Sequence, residues 1–115
     1  VALPKFNRLR SKKDFDSVFK KGKTVKNSFL FIKYAVNDLD ILRFGFIVPK
    51  SISGKAVTRN RIKRILSDTT GKIIYKIKGG YDIAVTITAK NIDLSKAIEQ
   101  TIKDQIESAV KILYK

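Results

Sequence analysis

The chain has 115 residues, 43% of them hydrophobic, enough to bury one core in a single domain. It carries 25 Lys and Arg against 10 Asp and Glu, a net charge of +15, and contains neither Cys nor His. That excludes disulfides, thiolate nucleophiles, imidazole acid–base catalysis and the usual zinc ligands, and it leaves a polyanion as the natural partner.

Val1-Ala2-Leu3 runs directly into Pro4-Lys5-Phe6 without a secretory apolar segment, and no apolar run approaches the roughly 20 residues that span a bilayer. Together with the missing cysteines this sets the expectation of a cytoplasmic protein with no membrane partner. Ser11 followed by Asp14, the i, i+3, i+4 set Phe15, Val18 and Phe19, and a closing Gly22 predict a first helix over 12–21. Phe29 to Val36 is rich in aromatic and β-branched residues and reads as a strand. Asn37-Asp38-Leu39-Asp40 is a turn signal, and Ile41 to Val48 is a second strand ending before Pro49. The two strands are expected to form an antiparallel hairpin.

A second helix is predicted over 56–68, ended by Gly71. Lys72 to Lys78 supports neither period. Gly79-Gly80 precedes a third strand, Tyr81 to Ala89, and Asp93 can cap a last helix to about Ile112. Its stripe of Ile98, Ile102, Ile106, Ala109, Val110 and Leu113 keeps core spacing. The order α-β-β-α-β-α, without linker or repeat, predicts an α+β sandwich with helices on a small sheet.

The charge is localised. Residues 5–26 hold nine cations and two acids, and residues 50–64 hold six cations and none. In the second run Ile62, Ile65 and Leu66 share one helix sector, while Arg59, Asn60, Arg61, Lys63 and Arg64 spread over the rest. One side docks on a core and the other meets an anion. Lys50 and Lys55 flank the helix start, where free N–H groups favour phosphate. Arg10, Lys12 and Lys13 mark the first basic segment. Asn60 suits a base edge, a turn cap or plain solvation equally. The acid pairs Asp14/Asp16 and Asp38/Asp40 fall on a helix, where i and i+2 diverge by about 200°, and in a turn. The chain is therefore a poor protein-only catalyst.

Gly54-Lys55-Ala56-Val57-Thr58-Arg59-Asn60-Arg61-Ile62-Lys63-Arg64 resembles the signature helix of the bacterial ribonuclease P protein subunit. Phe15 to Gly22 is similar to that family's first helix, and Gly45 to Lys50 resembles the strand that leads into the signature. The resemblance covers nearly the whole chain. It implies a small, mostly antiparallel sheet with a left-handed βαβ crossover, and an RNA partner that cleaves the 5′ leader from precursor tRNA with Mg²⁺. No further protein partner is required. It also implies a cleft between the first helix and the sheet that holds the leader, and so moves Phe15 and Phe19 from core spacing to the cleft. Strand alternation adds Phe29, Phe31 and Lys33. The chain departs from the family pattern at Ser67-Asp68, where another arginine is common, and at Thr88, where a base often stands. It departs again at Lys33, a slot that is commonly aromatic. The competing expectation is a structural RNA-binding protein of ribosomal type, which would lack the cleft. A DNA-binding helix ranks lower, because a pair of strands rather than a first helix precedes it.

Overall fold

Ser11 starts the first helix as expected: its Oγ accepts the Asp14 N–H at 3.0 Å, and α1 runs Lys12–Lys21. A computed structural model describes residues 3–88 and 97–115, and within them places three α-helices on a four-stranded sheet. The strands are β1 (Lys23–Lys26), β2 (Leu30–Val36), β3 (Arg43–Ile47) and β4 (Tyr81–Ile87). Helix α2 spans Ala56–Ile73 and α3 spans Ala97–Val110, with short 3-10 turns at Lys5–Asn7, Ile74–Lys76 and Lys111–Leu113.

The expected hairpin does not form. The sheet order is β1-β2-β4-β3, so β4 lies between the two strands that the 37–40 turn joins. It pairs antiparallel with β2 and parallel with β3, and α2 is the connection between the parallel neighbours. Burial explains the exchange. Asp82, Ile83, Ala84 and Val85 are all buried, so β4 is covered on both faces and belongs at the sheet centre. The turn itself is present, with Asp38 and Asp40 at φ of 60° and 56°, but it redirects the chain rather than folding β3 onto β2. Strand β1 was not foreseen; it is a four-residue edge strand, Lys-Thr-Val-Lys, whose charged ends discourage further pairing.

Gly71 does not end α2, which continues through Ile73; Thr70 meanwhile returns its hydroxyl to the Leu66 carbonyl at 3.0 Å. Of the ambiguous stretch, Lys72 and Ile73 close α2, Ile74–Lys76 form a 3-10 turn, and Ile77 bridges Tyr114. The α3 stripe is buried as expected, whereas Asp93 and the end of the predicted third strand at Ala89 lie outside the described residues.

Register sets the two faces. Ile32, Val85 and Phe46 form one row across the sheet, and Tyr34, Ile83 and Phe44 form the next. These rows meet α2 and α3 in the main core, with Ile62, Leu66, Ile102 and Ile106 fully buried. The opposite face carries Lys33, Ala84 and Gly45 in one row and Phe31, Thr86 and Ile47 in the next. There a smaller core of Leu9, Val18 and Ala84 seats α1, with Phe15 and Phe19 half-buried against it. The layers are thus α1, sheet, then α2 with α3.

Candidate nucleic-acid interface

Two features fix α1 over the sheet. A methyl group at Gly45 would overlap the Phe15 ring, so the missing side chain is what lets α1 approach β3. Gly22 serves likewise: its φ is −75°, an ordinary value, but an added Cβ would collide with the Val18 and Tyr34 backbones. The second feature is polar. Arg43 grips the buried Asp82 with two hydrogen bonds of 2.7 Å, and its third nitrogen reaches Asp14 of α1 at 3.3 Å. Asn37 completes the Asp82 shell from the turn at 2.9 Å. Hydrogen bonding to Asp82 raises the Arg43 pKa above its ordinary value against the opposing effect of burial.

With α1 seated on the Ala84 row, the neighbouring row stays partly open. Phe31, Thr86 and Ile47 are all half-exposed, and neither Phe31 nor Ile47 belongs to a core cluster. Phe15 and Phe19 project from α1 toward this face. Phe31 and Lys33 stand where alternation placed them, and the Lys33 ammonium also lies 3.4 Å from the Gly22 carbonyl at the end of α1. Phe29 is a correction. It precedes β2 and packs on the main core instead of the cleft. The Asn27 side-chain oxygen accepts from both Phe29 and Leu30 N–H, at 2.8 and 2.7 Å, and that local turn breaks the alternation. Thr86 and Ile47 were missed; only the β4 register reveals them.

The α2 cations separate by direction. Asn60, Lys63, Arg64, Ser67 and Asp68 recur at helical spacing on one stripe, whereas Arg59 and Arg61 leave about 100° to either side of Asn60. Arg59 folds back, donating to the Ser53 carbonyl at 3.0 Å, while Arg61, Lys63 and Arg64 are exposed. Lys55 occupies the N-cap without a side-chain cap, and Lys50 lies exposed in the preceding turn. Arg10, Lys12 and Lys13 are exposed as well. Lys12 and Lys13 sit in the first turn of α1, where the helix dipole disfavours cations. Arg8 and Arg10 approach the α2 stripe across a groove floored by β3. Arg8 was not singled out, although it belongs to the first basic segment.

Among the described residues no cluster of three or more acids is placed to hold a metal, and no helix is long and apolar enough to cross a membrane.

The sequence model of the Ribonuclease P family matches residues 3–114. The chain belongs to the ribonuclease P protein family. The Ribonuclease P protein component of Caldanaerobacter subterraneus subsp. tengcongensis is 35% identical over 107 residues, covering 93% of this chain and 89% of that one. The corresponding component of Alkaliphilus oremlandii is 40% identical over 97 residues, covering 84% of each. Among solved structures, a Staphylococcus aureus RNase P protein mutant superposes with a TM-score of 0.80 at 30% identity, covering 94% of this chain and 88% of the other. The Thermotoga maritima RNase P protein gives 0.79 at 27%, covering 94% and 98%. These findings favour the tRNA-processing ribonucleoprotein over a structural RNA-binding protein of ribosomal type, and they make the chain a ribonuclease P protein subunit.

Proposed function

We propose that α2 and the N-terminal basic segment hold the catalytic RNA, while the opening between α1 and the Phe31–Thr86–Ile47 row takes the single-stranded 5′ leader of precursor tRNA. The observation that carries this is the half-exposed Phe31–Thr86–Ile47 row beside Phe15 and Phe19, in a molecule whose α1 and α2 also present exposed cations. Bases stack on partly exposed aromatic rings, and Arg and Lys neutralise the phosphates between them. Lys33 sits at the boundary and offers one charge to the strand.

Mg²⁺, held by the RNA, supplies the polarised phosphate and activated water of hydrolysis. Among the described acids, Asp14 and Asp82 pair with Arg43. The protein contributes binding and orientation.

The test compares precursor and mature tRNA on the reconstituted particle. Phe19→Ala and Phe31→Ala, each checked for folding by circular dichroism, are expected to weaken precursor binding by about 1–3 kcal/mol per lost stack. Mature tRNA binding should be unchanged, because mature tRNA has no leader. Equal losses for both RNAs would refute the cleft.

A further inference from the structure

We propose that the groove bounded by the N-terminal segment, the β3 edge and α2 receives one unpaired RNA nucleotide, stacked on Phe46 and read at its base edge by Asp68. The inference rests on the RNA-binding reading above and assigns a specific nucleotide receptor on the α2 side, away from the leader cleft.

The groove measures about 410 Å³, within the roughly 300–1,000 Å³ typical of small-ligand sites. Its floor is aromatic. Phe46 lies nearly parallel to the buried Phe44, with centroids 6.0 Å apart and planes 10° apart, and is the outer, half-buried ring of the two. A base laid on Phe46 extends a stack already begun.

The strand beside it is open. The Phe44 carbonyl accepts from Leu9 N–H at 2.7 Å, and strand alternation turns the Phe46 N–H and C=O to the same edge two residues on. No backbone group of the described residues outside the sheet meets them. They are one donor and one acceptor at the height of the ring.

The rim separates charge from recognition. Arg8 and Arg10 rise on one side, Lys63 and Arg64 on the other, all exposed and placed for the phosphates that flank an inserted base. Asp68 breaks the pattern. It is the first acid after Asp40 in the sequence, lines this groove half-buried, and makes no hydrogen bond or ion pair with a described residue beyond its own helix. A carboxylate on a phosphate-binding surface repels phosphate, so its complement is a hydrogen-bond donor. Guanine, adenine and cytosine each offer an exocyclic amino group, whereas uracil offers only its ring N3–H between two carbonyls that a carboxylate repels. Asn60, on one stripe with Asp68 but about 12 Å back along the α2 axis, offers a donor and an acceptor at the other end of the groove.

The experiment has two arms. In the first, GMP, AMP, CMP and UMP are titrated separately into the ¹⁵N-labelled full chain. The three amino-bearing nucleotides are expected to shift the Phe46, Asn60 and Asp68 amides and to bind several-fold tighter than UMP. Asp68→Ala should abolish that preference. Shifts confined to Phe15, Phe19 and Phe31, or the same preference in Asp68→Ala, would overturn the proposal. In the second arm, Phe46→Leu, shown to melt cooperatively, is assembled with the catalytic RNA. Affinity should fall about 5-fold or more, the lower end of one lost stack, with an unchanged salt slope. Unchanged affinity would overturn the proposal while leaving the RNA-binding reading intact. Failure of the unsubstituted chain to bind the RNA would overturn both.

Discussion

Gly45 shows how much can rest on one missing methyl. Because a Cβ there would strike the Phe15 ring, Gly45→Ala is expected to push α1 off the sheet and to weaken precursor binding more than RNA assembly. Overpacking of this kind typically costs about 1–3 kcal/mol, visible in the denaturation midpoint. Tyr114 is a different kind of position. Its hydroxyl is buried without a hydrogen-bond partner, and burial, then the charges of Glu107 and Tyr75, push its pKa above the usual tyrosine value. A phenol that ionises less readily folded than unfolded favours the folded state below the ordinary value of about 10 and loses that margin only as pH rises beyond it. Tyr114→Phe is expected to keep or raise the melting temperature at pH 7 and to soften its decline above pH 10. A wild-type and variant pair with parallel alkaline limbs would contradict this. At this scale the sequence was legible where alternation held, as at Phe31 and Lys33. It misled at Phe29, because an Asn27 side chain bonding two successive N–H groups leaves no trace in hydrophobic periodicity.

Among elements, α1 is the one whose position matters and whose attachment is narrow. It meets the sheet through Val18 and two half-buried rings, and Arg43 ties it to the buried Asp82. The ties are unequal. The Asp14 contact is half-exposed, so Asp14→Asn should cost no more than about 1 kcal/mol. Arg43→Met leaves the Asp82 carboxylate buried without its cation, and should cost about 3–5 kcal/mol in urea denaturation. Because its hydrogen bond to Asp82 raises the Arg43 pKa, the stabilising charge is present below the ordinary guanidinium value and lost only beyond the raised one. No ordinary alkaline buffer should release α1. The helices were legible from periodicity and caps, α2 excepted at its end, where an interior Gly71 does not stop a helix that packing continues. Pairing was not legible, since the 37–40 turn signal is local and the choice of partner is made across the sheet. The one usable hint was the unbroken Ile83-Ala84-Val85 run, which marks a strand covered on both faces.

For the whole molecule, the segregation of charge should govern assembly. With about six phosphates neutralised, the slope of log K against log[salt] for RNA binding is expected near −4 to −5. A slope near zero would remove the electrostatic basis of both basic segments. The protein freed of RNA should hydrolyse no precursor tRNA with or without Mg²⁺, and activity should return on addition of the cognate RNA. The basic character of the surface was plain from composition. That residues 8–10 and 60–68 line one groove was not, because they meet only in three dimensions.

The central place of β4 also bears on how the protein is made. A ribosome delivers β2, β3 and the whole of α2 before any of Tyr81–Ile87 has emerged, and until then the strands that flank β4 have no partner for their inner edges. A nascent chain stopped at residue 80 should therefore be cut by protease under conditions that leave the finished chain intact. Its exposed strand edges are the kind that pair with other chains. The most basic helix is thus synthesised well before the sheet that aims it is complete, and a transcript met in that interval would find its charge without its shape.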